Sequence, residues 1–258
     1  YQSEDSLFFN GKNSLSYRAY SLYSQLGLVF SGVNVTAGLR YNNHEEYGSS
    51  SVPRLSATKV FGKFHLKALT SRAFRSPGIE NINSSKQLLA SSYPGGAAIE
   101  PEKSAAYELE AGYQFGNNLS LVSNLFYGSI ENPIVYFYDL NSEIEGYLNA
   151  ERTGSAGLET ELRWRSVAGS WLTISHSFYT AADDGAATYK VPGHGSAYLG
   201  MAEHKFGVHG SFPITGNVRL GPSLTAYGKR YGYDSADEDG NAILREFDAV
   251  WLLNLYLS

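Results

Sequence analysis

Two segments flank the tight Gly116-Asn117-Asn118 turn, and both alternate strictly between two faces. Before the turn, Tyr107, Leu109, Ala111, Tyr113 and Phe115 fall on one face. Glu108, Glu110, Gly112 and Gln114 fall on the other. After it, Leu119, Leu121, Ser123, Leu125 and Tyr127 oppose Ser120, Val122, Asn124 and Phe126. A period of two with one apolar and one polar face is the signature of a half-exposed antiparallel hairpin.

The pattern recurs along the chain. It predicts about eleven strands, near 16–30, 34–43, 51–60, 64–74, 104–115, 119–130, 147–165, 170–180, 203–213, 217–230 and 246–258. Many reach the ~9–11 residues that cross a bilayer at a tilt, where a soluble sandwich uses strands of about 5–6. Short turns, such as Ser31-Gly32-Val33, Phe61-Gly62-Lys63, Ala168-Gly169 and Ile214-Thr215-Gly216, alternate with long polar loops near 44–50, 75–103, 131–146, 181–202 and 231–245. In an up-and-down sheet every second connection lies on the same edge. All short turns therefore share one side and all long loops the other, which is the outer-membrane barrel pattern.

The faces agree with a barrel. Val33, Val35, Ala37, Leu39 and Tyr41 oppose Asn34, Thr36, Gly38 and Arg40; Leu158, Leu162 and Trp164 oppose Glu159, Glu161 and Arg163. Arg or Lys at a lipid midplane costs about 2–4 kcal/mol, so the charged face belongs in a wet or filled lumen. Composition fits: 20 Tyr and 13 Phe supply aromatic girdles, 27 Gly supply turns, and only 17% of residues are charged. The net charge of −5 disfavours nucleic acid as a partner. With no Cys, structural disulfides and thiolate metal sites are excluded. No run of 18 apolar residues marks a transmembrane helix. The first residue is Tyr1, without Met or a leader, so a processed chain or a piece of a longer one is expected.

Motifs for covalent chemistry are scarce. Glu108/Glu110 and Glu159/Glu161 pair carboxylates at i, i+2. A glycosidase needs two carboxyls about 5–9.5 Å apart, but the preferred reading is a lumen wall whose carboxylates bond Arg and Lys of other segments, including Arg163. Ser235, Asp237, Asp239, Gly240 and Glu246 are spaced almost as in a Ca²⁺ loop. Asp237, Asp239 and Glu246 are thus a weak Ca²⁺ candidate, against which stand the Ser at the first position and flanks that read as strands. None of the six His shows Zn spacing, and His44-Glu45-Glu46-Tyr47 lacks the second His of a metalloprotease helix. No nucleophile elbow, phosphate loop or dinucleotide fingerprint occurs. No enzyme activity, cofactor or metal is expected. Asn34, Asn83 and Asn118 open N-x-S/T triplets, read as turn and strand residues.

Three segments carry a family resemblance. Ser21–Tyr47 resembles the "Y-Q … aGlRYd" hairpin of TonB-dependent outer-membrane receptors. LTSRAFRSPGIENI with IEPEKSAAYELEAGYQF (Leu69–Ile82 and Ile99–Phe115) resembles that family's "aFRaP … L-PE-s-yElG" block, and Asn149–Trp164 its "N … G-E-E" strand. The three occur in the family's order across nearly the whole chain. The resemblance implies an all-β, antiparallel up-and-down transmembrane β-barrel, of which about eleven of 22 strands are present. It implies that 1–258 is the C-terminal part of that barrel, without the plug domain, the TonB box or the closing hairpin. An open edge at Leu253, Leu255 and Leu257 leaves backbone groups unsatisfied in lipid, so such a sheet needs more strands to close.

The implied function is active uptake of a scarce solute across a bacterial outer membrane, driven through TonB, with a ferric siderophore first among ligands. Haem or cobalamin receptors and a passive porin-like barrel are the alternatives. AFRSP also resembles a haem-receptor motif, although IEPE lacks the Asn-Pro of its partner motif. Outer-membrane lipid and TonB are the implied partners. By analogy, Arg75, His44, Tyr47, Tyr93 and His194, in or beside the long loops, are candidate ligand contacts. Arg meets an anion bidentately, and His44 or His194 suits haem or a metal.

Overall fold

The computed structural model describes residues 16–91, 97–139, 142–182, 189–237 and 241–258. The chain runs β1 (Ala19–Phe30), β2 (Val33–His44), β3 (Gly48–Phe61), β4 (Phe64–Arg75), α1 (Ile79–Ala90), β5 (Glu102–Gln114) and β6 (Leu119–Glu131). A small hairpin of β7 (Ile134–Asp139) and β8 (Ile144–Asn149) follows, then β9 (Thr153–Arg165) and β10 (Trp171–Ala182). Next come a short pair, β11 (Lys190–Val191) and β12 (His194–Tyr198), then β13 (His204–Thr215) and β14 (Val218–Tyr227). Another hairpin, β15 (Arg230–Ala236) and β16 (Ala242–Phe247), precedes β17 (Val250–Leu257).

Eleven strands form one antiparallel sheet in the order β1-β2-β3-β4-β5-β6-β9-β10-β13-β14-β17. Apart from the small hairpins, each strand pairs with its predecessor in the chain, giving the expected up-and-down partial barrel. Register carries the two faces across the strands. Val35, Ala57, Ala68, Leu109, Leu125, Leu158 and Phe178 are successive cross-strand partners on the apolar face. One residue along, Lys67, Glu110, Asn124, Glu159, Ser177 and Lys205 are successive partners on the polar face. A slip of one residue anywhere would exchange the faces. The short turns have the required chemistry: Ser31 and Gly32 both have positive φ (50° and 74°), as a two-residue type I′ hairpin demands.

The long-loop end differs from expectation in content. The 147–165 segment, expected as one strand, breaks at 150–152, because β8 folds back on β7 and Ala150 N–H closes that hairpin onto the Pro133 carbonyl at 2.8 Å. The 217–230 and 246–258 segments break at 228–229 and 248–249, and β15–β16 takes up most of the expected 231–245 loop. The expected loop near 44–50 shrinks to a three-residue link, since β2 and β3 stay paired to His44↔Gly48.

The loop near 75–103 holds α1. Pro77 precedes its N-cap Gly78, and the Asn81 side-chain oxygen accepts the Gly78 N–H at 2.9 Å. Its buried side chains are Ile82, Ser85 and Leu88. They rest on β8: Ser84 Oγ accepts the Tyr147 N–H at 3.1 Å, and a Cβ on Gly146 would lie 2.6 Å from Ser84 Oγ. Among the described residues, the buried core hydrophobics are Ile82, Leu88, Ile99, Val135, Val191, Ala197 and Tyr198, all at this end, with only Ala226 in the large sheet. The apolar face is bare by contrast; Leu28, Leu125 and Leu255 are 55%, 56% and 64% exposed. Among the described residues no helix is long and apolar enough to cross a membrane, a test blind to strands.

Candidate functional site

Strand parity and chain reversal deliver the candidate ligand contacts to the long-loop end, in separate clusters. At the β2–β3 link, His44 packs between Tyr17 and Tyr47, with ring centroids 5.6 and 5.4 Å away. The Glu46 N–H donates to His44 Nδ1 at 3.2 Å, which puts the neutral ring's proton on Nε2. Burial first, then the neighbouring Glu46, pushes the Tyr47 hydroxyl up to about 12. Lys86 of α1 reaches Glu46 at 3.6 Å and ties the helix to this link.

Arg75, the last residue of β4, forks onto Glu102, the first of β5. Its Nε and Nη2 donate to the two carboxylate oxygens at 2.5 Å each. Glu102 Oε1 also accepts the Ile134 N–H at 2.7 Å, so one carboxylate fastens β7 to the β4–β5 mouth. The Arg75 fork is thus occupied by a structural partner. Asn149 makes a similar clamp: its side-chain oxygen accepts the Glu100 N–H at 2.6 Å and its amide donates to the Glu100 and Asn132 carbonyls.

His194 stacks on Tyr231 of β15 with centroids 4.4 Å apart. The Tyr231 hydroxyl donates to Glu246 at 2.9 Å, and Lys229 reaches the same carboxylate at 2.5 Å. These bonds hold Glu246 below the usual carboxylate range, the Lys229 contact foremost, and raise both Lys229 and Tyr231. Asp237 takes the Asn241 N–H at 2.7 Å at the other end of the hairpin. Five residues of strand, roughly 17 Å at about 3.4 Å each, separate Asn241 from Glu246, so Asp237 and Glu246 do not converge as an ion-wrapping loop requires. Asp239 and Tyr93 lie outside the described residues. Among the described residues no group of three His, Asp or Glu is placed to hold a metal.

The polar face of the sheet has its own chemistry. A cavity of about 550 Å³ is lined by His65, Glu110, Asn124, Glu159, Glu161 and Arg163. Glu110 takes His65 at 3.1 Å and Lys67 at 3.7 Å, while Arg163 pairs with Glu161. Asn124, in register between Glu110 and Glu159, has its Oδ1 buried without a hydrogen-bond partner among the described residues. Sequence reasoning passed over Asn124, Glu102, Asn149 and Ser85. The Glu102 and Asn149 partners lie across other strands and loops, so no local motif betrays them. These separate clusters offer planar aromatic surfaces, fixed charges and hydrogen-bonding groups.

Comparison with known proteins bears on the same architecture. The family model described as "TonB dependent receptor-like, beta-barrel" matches residues 2–258. No curated protein matches the sequence. Among solved structures, the siderophore receptor PirA of Acinetobacter baumannii superposes with a TM-score of 0.72 at 16% identity, over 93% of this chain and 39% of that one. A mutant of the ferric enterobactin receptor of Pseudomonas aeruginosa, in complex with enterobactin, gives 0.71 at 18% identity, over 95% and 38%. The FrpB iron transporter of Neisseria meningitidis gives 0.68 at 14%, over 93% and 38%. The chain spans about two fifths of the length of these receptors. The order and register of the eleven strands, with the family match over 2–258, show that the chain belongs to the TonB-dependent receptor-like β-barrel family.

Proposed function

We propose that this chain is part of the barrel of an outer-membrane receptor that actively takes up a scarce solute, with a ferric siderophore as the first candidate. The observation that carries the reading is the family match over residues 2–258. The structural relatives named as siderophore receptors and an iron transporter favour iron-bearing ligands over other solutes. In this reading the apolar face meets lipid, the long-loop end faces the medium, and the polar face meets a plug. The Glu110 and Glu159 carboxylates that line this face then receive donors from that plug. Ligand binds at the loop end, among the His44–Tyr47 and His194–Tyr231 aromatic pairs and beside Arg75, and TonB pulls on the plug to release it inward.

The test is uptake of radiolabelled iron by the full-length receptor, expressed in an iron-starved host with and without TonB. TonB-dependent accumulation with a panel of ferric siderophores is expected. Accumulation only from haem or cobalamin moves the ligand within the family. Passive, TonB-independent permeation of small solutes makes the protein a porin and ends the transporter reading.

A further inference from the structure

The register of β10 and β13 brings His176 and His204 together from 28 residues apart in the chain. Phe178 is the cross-strand partner of His204 on one side and of Leu158 on the other, so His204 stands on the apolar face. His176 lies two residues from Phe178 along β10 and shares that face. The two rings are stacked, with centroids 5.3 Å and planes 19° apart, and His176 Nε2 lies 3.1 Å from His204 Nδ1. Both residues are exposed. The other four His stand apart, each with a different partner: His44 with the Glu46 N–H, His65 with Glu110, His194 with Tyr231 and His209 with Ser223.

The surroundings leave these two nitrogens to each other. Along the face their neighbours are Thr160 of β9, Phe178 of β10 and Phe206 of β13, with Ala226 of β14 beyond, and none carries a charge. The Thr160 hydroxyl is already shared with Ser123 at 3.0 Å. Glu203, next to His204 in the chain, accepts the Ser196 hydroxyl at 2.9 Å, and Lys205 lies on the opposite face over the Tyr227 ring. Among the described residues, the hydrogen bond that engages these imidazoles is the one between them, made with a single proton. Position matters as much as spacing. His204 is the first residue of β13, and His176 opposes Phe206, two residues inside that border. Water at the long-loop end therefore reaches the pair.

A divalent transition ion binds imidazole nitrogen at about 2.0–2.1 Å, so two such bonds at right-angled or tetrahedral geometry span about 2.9–3.4 Å between the nitrogens. The 3.1 Å of this pair falls inside that span. The ion takes the place of the proton between the rings. The ring that donates moves its proton to its outer nitrogen, both facing nitrogens then offer a lone pair, and no net proton is lost. Because both side chains are exposed, small turns of the rings aim the lone pairs at a common point. We propose that His176 and His204 form a two-nitrogen binding site for a divalent transition-metal ion of the nickel–copper–zinc group, on the apolar wall at its long-loop border. Among the described residues no third His, Asp or Glu joins them, so water or a small chelator completes the coordination. Hard cations such as Ca²⁺ and Mg²⁺ take oxygen ligands and find none here. Strand parity puts the pair on the face opposite Glu159, Ser177 and Lys205. It lies outside the polar-face route of the proposed transporter and does not depend on that reading.

The probe is Cu²⁺ presented as its iminodiacetate chelate, which leaves few positions open and is held tightly only where two nitrogens converge. The full-length receptor in detergent micelles is titrated at mildly alkaline pH, where imidazole is free to bind metal. Pulsed electron paramagnetic resonance of the wild type should show two equatorial imidazole nitrogens on the bound copper. His176→Asn and His204→Asn should each reduce that number to one and weaken binding about a hundredfold, because the second imidazole binds intramolecularly. His209→Asn, on the opposite face, should change neither. A wild-type spectrum with a single imidazole overturns the site without recourse to any variant. So does a two-imidazole signal that survives His176→Asn or His204→Asn, or one that is lost in His209→Asn as well. Iron uptake by the same receptor is measured in parallel. Its failure with the copper signal intact counts against the transporter reading alone.

Discussion

The eleven-stranded sheet and the cap at its long-loop end are held together differently. The sheet has continuous cross-strand ladders but almost no buried side chain; its apolar residues point outward, and Ala226 is its one buried hydrophobic residue among those described. The cap, built from α1 and the three small hairpins, has a miniature core around Ile82, Leu88, Ile99 and Val135, with Ser85 satisfied inside it. On the proposed outer-membrane reading, the sheet draws its apolar stabilisation from a surrounding apolar solvent, whereas the cap draws its own from burial away from water, so that one chain folds against two environments.

The largest expected effect tests the solvent of the sheet. Leu125→Arg, in the middle of the apolar row, should cost about 2–4 kcal/mol if that face meets lipid. The readout is urea unfolding of the full-length receptor in vesicles, followed by the heat-modifiable shift on gels. An unchanged midpoint would remove the apolar face from the membrane. Glu110→Gln on the opposite face should move the same midpoint far less, because its partners His65 and Lys67 are themselves partly exposed.

The next effect is confined to the cap. Ser85 Oγ donates to the Ala97 carbonyl at 2.7 Å and accepts the Ile99 N–H at 3.0 Å. Ser85→Ala leaves the buried Ile99 N–H without its acceptor, at about 1–3 kcal/mol, while the exposed Ala97 can turn to water. Gly146→Val should act similarly by steric means, since even a Cβ would meet Leu88 Cδ1 at 3.0 Å as well as Ser84. Hydrogen exchange should speed up in α1 and the β7–β8 hairpin, with ladder amides of β5 and β6 unmoved. Loss of protection in the ladders as well would show that sheet and cap unfold as one unit.

The same division governs what the sequence discloses. The sheet is legible because a period of two is a local signal, repeated in Tyr107–Phe115, Val33–Tyr41 and Leu158–Trp164. Strand order follows once the turns are short. The cap is less legible because its elements are short and its contacts distant. The second half of β8, residues 147–149, runs on in sequence into β9, so the two merge into one expected strand until the fold-back at 150–152 is seen. The Pro77-Gly78 start of α1 is a readable signal, but its apolar stripe is thin, with Ile82 and Leu88 six residues apart and Ser85 between them. In the site, the His44–Tyr47 contact is three residues apart and within reach of inspection. The Arg75–Glu102 fork spans 27 residues and His194–Tyr231 spans 37, distances only the register of the sheet resolves.

Arg75 tests whether the cap shapes the binding end. Arg75→Ala should free Glu102 and loosen its hold on the Ile134 N–H, at about 1 kcal/mol, because the guanidinium is largely exposed. Ferric siderophore affinity of the full-length receptor, by fluorescence quenching, should fall several-fold, and Arg75→Lys should restore only part of it for want of the fork. An intact affinity would confine Arg75 to fastening the cap.

The smallest effect is a pH dependence that belongs to the cap alone. Glu246 is depressed by its bonds to Lys229 and Tyr231, so its contribution is present above the ordinary carboxylate value of 4.5 and is lost only as pH falls through its lower folded value. Lys229 is raised by the same contact, so its contribution is full below 10.5 and is lost as pH rises through its higher folded value. Tyr231, raised because its hydroxyl donates to Glu246, follows the same alkaline direction from 10.0. Lys229 and Glu246 are exposed and Tyr231 is half-buried at the surface, so the effect is local and small. The β15–β16 hairpin should hold its exchange protection across the carboxylate range and loosen only beyond it on the acid side. Glu246→Gln should shrink that acid limb to the part Asp234 supplies, its carboxyl also being held low by Arg245, and weaken protection at neutral pH, while the β5–β6 ladder, whose bonds join backbone to backbone, shows no change at either limb. An acid limb unchanged by Glu246→Gln and removed by Asp234→Asn would leave the Lys229–Glu246 contact without a role in holding the cap.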